Sequence, residues 1–197
     1  MGAVATEVRS TTRARILDAA FEAVRDFGVS RTTVEDVAQR AGLSRQTVYR
    51  YFPSKEHVVL GLVLREEEKF IEGTRAAFSS HDELAEAFEA AIAFCLGYAR
   101  EHPLLDRLLA TDRETFLPYL TVEGLPVILR ARESLIELVR ERRPKANAAS
   151  WSGILDAAVR ATLSYILTPP ERPIPEVARA MSRALVAALS EADRGRP

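Results

Sequence analysis

Residues 32–58, TTVEDVAQRAGLSRQTVYRYFPSKEHV, contain the pattern that determines the fold of the N-terminal part of the chain. Thr33 followed by Asp36 is a variant of the capping box, which predicts the start of a helix. The apolar residues that come next repeat at helical spacing and predict one buried face: Val34, Val37, Ala38 and Ala41. The pattern therefore predicts a short amphipathic helix.

A second short helix is predicted directly after a tight turn. Gly42 ends the first helix, Ser44 caps the second over residues 45–51, and Pro53 closes it. Two short helices around a glycine-containing turn cross steeply and form a helix-turn-helix. The second helix of such a pair can present one face to a major groove of DNA.

A longer helix precedes the pair, from about Thr12 to Phe27, and supplies the core that two short helices cannot make alone. Its predicted apolar stripe consists of Ile16, Leu17, Ala20, Val24 and Phe27. Gly28 lies where a left-handed C-terminal cap is expected. Residues 1–11 lack apolar periodicity and are expected to flex, with Arg9 and Arg13 either reaching a neighbouring groove or doing nothing specific.

The rest of the chain is also predicted to be helical, so the predicted fold class is all-α. Long helices are predicted over residues 54–79, 82–101, 103–110, 124–142, 148–167 and 174–192. The proline-rich stretch 168–175 is predicted to be a stiff connector between the last two helices. No stretch shows the sustained alternation with a period of two that predicts strands.

Composition excludes several classes of protein. The 197 residues are 47% hydrophobic with a net charge of −1, which excludes general disorder. One cysteine, Cys95, excludes a disulfide framework and a cysteine-based zinc site. The N-terminus lacks the apolar core of a signal peptide and no apolar run approaches the ~20 residues of a membrane span, so a cytoplasmic protein without membrane contact is expected. Residues 1–60 carry nine Lys and Arg against seven Asp and Glu, and a basic contact surface is expected there.

Residues 10–60 resemble the DNA-binding domain of the TetR family of bacterial transcriptional regulators. Many positions agree in register without a gap: Ile16 to Ala20, Phe27-Gly28, Thr33, Ala38, Ala41 to Ser44, Thr47, Tyr49, Tyr51-Phe52 and Ser54 to Glu56. His57 departs from the family, whose members often carry an acidic residue there. The resemblance implies a helix-turn-helix DNA-binding domain over residues 10–60, with the motif at about 33–52, and a ligand-binding and dimerisation domain over 61–197.

The resemblance also implies a function: a homodimeric transcriptional repressor that binds a double-stranded DNA operator and is released by a small, largely apolar ligand. Three alternatives stay open: an activator, a ligand-independent architectural factor, and a helical ligand-binding or interaction module without DNA affinity. Catalysis is not expected, because the chain has no GxGxxG, phosphate loop, GxSxG or HExxH motif. The three histidines lie far apart, so neither a metal site nor a cofactor is expected.

The predicted DNA contacts lie on and around the second helix of the motif. Val48, Tyr51 and Phe52 are predicted to point inward. Arg45, which can bond guanine O6 and N7, and Gln46, which can pair with adenine, are the predicted base contacts. The predicted phosphate contacts are Thr33, Ser44, Thr47, Tyr49, Arg50 and Lys55, the last because the family counterpart suggests it. The alternative is an ordinary solvated polar face.

The last two predicted helices carry apolar stripes. In the family, the corresponding helices pack against their symmetry mates as a four-helix bundle, and the small residues here allow close approach. The predicted interface consists of Trp151, Leu155, Val159, Thr162, Met181, Leu185 and Ala188. The alternative is that both stripes face the protein's own core.

The middle helices are predicted to hold the ligand. The candidate apolar lining is Leu62, Phe70, Phe88, Ile92, Cys95, Leu105, Leu108, Ile128 and Tyr165, although core packing explains each of these residues as well. Arg132 interrupts an apolar stripe. It is predicted either to anchor a ligand carboxylate or phosphate or to form an internal ion pair with Glu66 or Glu89.

Overall fold

The computed structural model describes residues 2–111, 114, 121, 125–144 and 148–194, and these residues contain helices and no strand. In chain order the helices are α1 (Gly2–Phe27), α2 (Val34–Ala41), α3 (Arg45–Tyr51), α4 (Lys55–Ser79), α5 (Leu84–Glu101), α6 (Pro103–Thr111), α7 (Leu125–Arg142), α8 (Ala148–Leu167) and α9 (Ile174–Arg194). The all-α prediction is confirmed, and most predicted helices begin within two residues of the observed ones.

The start of α1 corrects the prediction. The helix begins at Gly2 rather than Thr12, so residues 2–11, which were expected to flex, have helical backbone in the structure. Extending an existing helix adds one hydrogen bond per residue without a new nucleation cost, and this segment holds no proline to stop it. The side chain of Arg9 lies outside the described residues. Arg13 places its guanidinium 5.2 Å from the centroid of the Phe52 ring, which is a contact within the protein rather than an extended arm.

The helices divide into two compact units. The first unit contains α1 to α3, α4 as far as Lys69, and α6. The second contains α4 from Phe70, α5, and α7 to α9. This division differs from the predicted boundary between residues 60 and 61, because α6 buries Leu104 and Leu108 in the core of the first unit.

The core of the first unit is formed by α1 and the helices that cover it. Its side chains include Ile16, Leu17, Ala20, Val24, Val37, Val48, Phe52, Val58 and Leu62. Gly28 takes φ 81°, as the predicted left-handed cap requires. Phe27 was predicted to belong to the buried stripe of α1, but it is 38% exposed. The Arg40 guanidinium lies 5.3 Å from the centroid of its ring.

A buried carboxylate joins α4 to α6 within the first unit. Glu66 is 8% exposed and accepts hydrogen bonds from Arg65 Nε at 3.0 Å and Lys69 Nζ at 3.1 Å, with His102 Nε2 at 3.3 Å. His102 Nδ1 accepts from the Leu105 N–H at the start of α6, which leaves Nε2 as the donor to Glu66. Burial raises the pKa of Glu66. The hydrogen bonds from Lys69 and His102 and the charges of Lys69 and Arg65 lower it by more, so the pKa lies below its ordinary value. The carboxylate therefore stays charged at neutral pH.

The core of the second unit surrounds Trp151. The indole is fully buried, and its Nε1 donates to Asp193 Oδ1 at 2.9 Å, while Arg143 Nη1 donates to Asp193 Oδ2 at 3.0 Å. The other buried side chains of this core include Phe78, Phe88, Leu96, Leu138, Val139, Leu155, Val177, Leu185 and Leu189. Asp193 thus ties the end of α9 to the start of α8 and to the residue after α7.

The structure places three residues of the predicted dimer face in the core of a single chain. Trp151 and Leu155 are 0% exposed and Leu185 is 7% exposed within one chain, so their side chains belong to the core of the second unit. Val159, Thr162, Met181 and Ala188 are half-buried, and Met181 also packs against this core. The exposed faces of α8 and α9 carry small residues instead: Gly153, Ala157, Ala161, Ser164, Ala180, Ala184 and Ala187.

Candidate nucleic-acid interface and ligand region

The capping box at the start of α2 forms as predicted. The Thr33 hydroxyl accepts from the Asp36 N–H at 3.2 Å, and Asp36 Oδ2 accepts from the Thr33 N–H at 2.9 Å. Hydrogen bonds from the Thr33 hydroxyl and then from its backbone N–H hold the pKa of Asp36 below its ordinary value. The N-terminus of α2 is therefore capped by side-chain and backbone groups of its own segment.

The turn between α2 and α3 is held from both sides. Gly42 takes φ 62°, the left-handed conformation that glycine adopts without steric cost. Arg15 of α1 donates from Nη2 to the Ala41 carbonyl oxygen at 2.7 Å. Ser44 is the N-cap of α3, and its hydroxyl accepts from the Thr47 N–H at 3.1 Å. These contacts fix the angle at which α3 leaves the turn.

The helix α3 has one buried and one exposed side. Val48 is 0% exposed and Phe52 is 4% exposed, while Tyr51 packs partly buried against the same core, so the predicted inward residues are confirmed. Four predicted contact residues are exposed on this helix: Arg45, Gln46, Tyr49 and Arg50. The polar side of α3 is thus available to a partner.

The remaining predicted contact residues lie at helix starts, where most of them also stabilise the fold. Thr33 and Ser44 are N-caps, and Thr47 lies 2.9 Å from the Ser44 hydroxyl. Lys55, the first residue of α4, donates from Nζ to the Ser30 carbonyl oxygen at 3.0 Å. This bond places its ammonium beside the loop that leads into α2.

The start of α4 keeps an ordered carboxylate although His57 departs from the family pattern. The Ser54 hydroxyl donates to Glu56 Oε2 at 2.5 Å and also lies 3.0 Å from His57 Nδ1. The hydrogen bond from Ser54 is the main cause that lowers the pKa of Glu56 below its ordinary value. An acidic residue in the first turn of α4 is therefore still present and fixed.

Sequence reasoning missed one residue of this surface. Glu35, in the first turn of α2, contacts the Arg45 guanidinium through its Oε1 atom, and both side chains are exposed. An acidic residue directly before the capping aspartate was the only available signal. Helix periodicity does not show that it reaches a residue on the next helix.

The structure divides the predicted ligand-lining residues between the two units. Leu62 and Leu108 lie in the core of the first unit, and Leu105 is half-buried on α6 of that unit, so these three do not line a site in the second. The second unit keeps Phe70, Phe88, Ile92, Cys95, Ile128, Arg132 and Tyr165. Leu62, Leu105 and Leu108 thus lie in a different unit from the other candidates, which an apolar stripe could not show because it does not identify the helices that cover it.

The aromatic residues of α4 and α5 pack closely in the second unit. The Phe70 ring centroid lies 5.5 Å from that of Tyr98 and 6.3 Å from that of Phe94. A Cβ atom at Gly73 would lie 2.1 Å from the Phe94 ring, so glycine permits this approach. Burial raises the pKa of the Cys95 thiol to about 11, which keeps it protonated at neutral pH.

Arg132 takes neither predicted internal partner. Glu66 binds Arg65, Lys69 and His102, and Glu89 accepts from Arg179 Nε at 3.2 Å. Arg132 instead lies 3.9 Å from Glu133 through Nη2. Its buried Nε–H has no hydrogen-bond acceptor among the described residues. The ion-pair alternative with Glu66 or Glu89 was therefore wrong.

The part of the chain that the structure describes offers neither a metal site nor a membrane-spanning helix. Over those residues, no group of three or more His, Cys, Asp and Glu side chains has an arrangement that could hold a metal ion. Among the same residues, no helix has the length and apolar character required to cross a membrane.

Comparison with known families decides the assignment of the chain. A profile described as "Bacterial regulatory proteins, tetR family" matches residues 16–62, and one described as "Bacterial Tetracyclin repressor, C-terminal domain" matches residues 83–187. The chain belongs to the TetR family. It is accordingly a DNA-binding transcriptional regulator, and this family is one of regulators rather than of enzymes.

Individual proteins are similar over most of the chain. The HTH-type transcriptional regulator AlkX of Mycobacterium tuberculosis is 28% identical over 166 residues, which are 81% of this chain and 79% of the relative. The crystal structure of the TetR family repressor AlkX from Dietzia sp. strain DQ12-45-1b, implicated in biodegradation of n-alkanes, has a TM-score of 0.71. It is 26% identical and covers 91% of this chain and 98% of its own. The nucleoid occlusion factor SlmA of Marinomonas sp. is 25% identical over 80% of this chain and 83% of its own.

Proposed function

We propose that this protein is a homodimeric repressor without catalytic activity, which binds a pseudo-palindromic operator and is released by a small, largely apolar ligand. The observation that carries the DNA-binding part is the geometry of α3. One side of the helix is locked into the core through Val48, and caps at its start fix its direction. Its other side presents Arg45, Gln46, Tyr49 and Arg50. A recognition helix of a helix-turn-helix needs this combination.

The exposed residues divide by chemistry into base contacts and phosphate contacts. Arg45 and Gln46 begin α3, and the N-terminal residues of a recognition helix contact base edges. Their side chains offer the planar donor and acceptor groups that pair with guanine and adenine. The hydroxyls of Thr33, Ser44, Thr47 and Tyr49, with the cations of Arg50 and Lys55, suit phosphates, whose contacts carry no sequence information.

Substitutions should separate the two kinds of contact. We expect Arg45→Ala and Gln46→Ala each to cost about 1–3 kcal/mol on the cognate site and little on random DNA. Lys55→Ala is expected to weaken binding on every sequence and to reduce the salt slope by about one. Tyr49→Phe should also weaken binding to every sequence but leave the salt slope unchanged, because it removes no charge. The measurement is a fluorescence-anisotropy titration at several salt concentrations.

The DNA for this titration is a duplex that the wild-type protein selects from a random library, with a scrambled duplex of the same length beside it. Arg179→Ala, on α9 of the second unit, is a matched control for loss of an exposed arginine. If Arg45→Ala weakens the selected and scrambled duplexes equally, the base and phosphate roles are assigned the wrong way round.

The ligand part of the proposal rests on the second unit. Its candidate lining is apolar and aromatic, and the buried Arg132 Nε–H without an acceptor in the described part of the chain supports an anionic group on the ligand. The AlkX repressor of Dietzia is implicated in biodegradation of n-alkanes, which favours long-chain apolar compounds among the candidates. The helix α4 runs without interruption from Lys55 in the first unit to Ser79 in the second, and we propose that its displacement couples ligand to DNA.

A ligand that binds the released form 10²–10³ times more tightly supplies about 2.7–4.1 kcal/mol of coupling, enough to empty an operator. We expect thermal-shift screening of n-alkanes, fatty acids, acyl thioesters and aromatic compounds to find such a ligand. DNA titrations with and without each hit then measure the coupling, and the selected duplex must weaken ligand binding by the same factor. A ligand that binds the second unit and leaves DNA affinity unchanged contradicts release while leaving DNA binding intact.

The proposed dimer face is the small-residue side of α8 and α9. A Cβ atom at Gly153 would meet nothing within 4 Å, so this side of α8 is open in the single chain. Ala157, Ala161 and Ala184 lie exposed on the same two helices. Small side chains let helix axes approach closely, and a two-fold interface uses the same patch on both copies.

A further inference from the structure

The contact between Glu35 and Arg45 joins two helices at the proposed DNA surface. Glu35 lies in the first turn of α2, and Arg45 is the first residue of α3. Glu35 Oε1 accepts a hydrogen bond from Arg45 Nη1, with 46% and 64% of the two side chains exposed. The pair is therefore formed at the surface, where a DNA partner can meet both groups.

The capping of α2 does not require Glu35. Asp36 supplies the carboxylate of the capping box, and the Thr33 hydroxyl and backbone N–H both donate to it. A carboxylate close to the helix N-terminus gains only a small amount from the helix dipole when it is exposed. The contact of Glu35 with Arg45 is thus not needed to cap α2.

A carboxylate at a DNA-binding surface normally weakens binding, because it repels the phosphate backbone. Its pairing with Arg45 lowers the affinity for random DNA more than the affinity for the cognate sequence. A guanidinium that is already held by a carboxylate gains less from a phosphate, so binding to random DNA is suppressed. Specificity depends on the difference between two affinities, and such suppression raises it.

The atoms used by the pair leave the base-reading side of the arginine available. A guanidinium carries five N–H donors in a planar fork. Because Glu35 occupies Nη1, the edge formed by Nε and Nη2 remains for the two acceptors of guanine, O6 and N7. Holding one side of the plane also reduces the number of rotamers that Arg45 must give up when it meets the base.

We propose that Glu35 is a positioning residue that directs Arg45 to guanine and lowers its affinity for phosphate. This inference rests on the proposed function, in which Arg45 reads a base. Glu35 itself makes no base contact and acts through Arg45.

The test compares Glu35→Gln with the wild-type protein on a duplex selected by the wild type and on a scrambled duplex. Glu35→Gln keeps the size of the side chain and removes its charge. We expect tighter binding to the scrambled duplex, a salt slope on that duplex larger by about one, and a ratio of selected to scrambled affinity that falls by about tenfold. Glu22→Gln is the matched control, because it removes the same charge from an exposed residue of the first unit that pairs with Arg40 instead.

A double-mutant cycle identifies the route of the effect. In the Arg45→Ala background, Glu35→Gln should no longer change discrimination between guanine and adenine at the position that Arg45 reads. If discrimination still falls in that background, Glu35 contacts a base directly and the positioning role is overturned. The role is also overturned if Glu35→Gln changes the ratio no more than Glu22→Gln does. Failure of the wild type to select any sequence refutes the proposed function itself, whereas selection with an unchanged Glu35→Gln ratio refutes only this inference.

Discussion

Trp151→Ala is expected to lower the free energy of unfolding by about 3–5 kcal/mol, the range observed when a large aromatic side chain is removed from a core. The indole is 0% exposed and is surrounded by buried side chains of the second unit. For a chain of this length the change corresponds to a melting temperature lower by about 6–20 °C. Differential scanning calorimetry or urea denaturation measures it directly.

Two variants show which part of the indole matters. Trp151→Phe keeps most of the ring but loses the N–H that donates to Asp193, and a smaller loss of about 1–3 kcal/mol is expected. Asp193 keeps its second partner, Arg143, in both variants. Val159→Ala is the control, because Val159 lies half-buried on the same helix and should cost clearly less.

The experiment also separates a core residue from an interface residue. Loss of core packing destabilises the protein at every protein concentration. Loss of an interface contact instead changes the dimer dissociation constant, so the shift in melting temperature depends on concentration. A loss that disappears at high protein concentration would return Trp151 to the dimer face predicted from the sequence.

The helix-turn-helix could be predicted closely because its determinants are local. Thr33 and Asp36, three residues apart, form the predicted capping box, and Ser44 caps α3 as predicted by accepting a hydrogen bond from the Thr47 N–H. Gly42 adopts the left-handed conformation because glycine has no Cβ atom, which is a property of that residue alone. The exposed and buried sides of α3 then follow from helical periodicity.

The second unit was harder to predict because a periodic stripe shows only that one side of a helix is covered. The spacing of Trp151 and Leu155 is the same whether the cover is α9 of the same chain or a second copy. The same ambiguity applies to Leu108 on α6, whose side chain packs in the core of the first unit. Contacts between residues far apart in the sequence determine which helix covers such a stripe, and these contacts cannot be deduced from one sequence alone.

The contact between Glu35 and Arg45 marks a second limit. The residues are far enough apart that no helical spacing relates them, since a turn separates their helices. Only the angle between α2 and α3, fixed by Gly42 and by the bond from Arg15 to the Ala41 carbonyl, brings them together. Sequence reasoning therefore found the residues that face outward but not the pairing among them.

Ala161→Arg is expected to abolish dimerisation and to lower affinity for the full operator by about 10²–10⁴-fold. In a dimer the second half-site is bound as an intramolecular event, and loss of that linkage removes a gain of this size. Ala161 lies exposed on α8 in line with Gly153 and Ala157, and an arginine there places a charge where two helix backbones are proposed to approach closely. Size-exclusion chromatography with light scattering should change from twice 21.8 kDa to a single chain.

The matched control for this substitution is Ala76→Arg, which introduces the same side chain at an exposed position of α4 in the same unit. It should leave both the dimer and operator affinity unchanged. Because Ala161 is exposed in the single chain, circular dichroism of the Ala161→Arg protein should remain helical. Affinity for a duplex with only one half-site should also be close to that of wild type, since α3 is untouched. If Ala161→Arg stays dimeric and binds the full operator normally, the two copies meet elsewhere than on the small-residue side of α8.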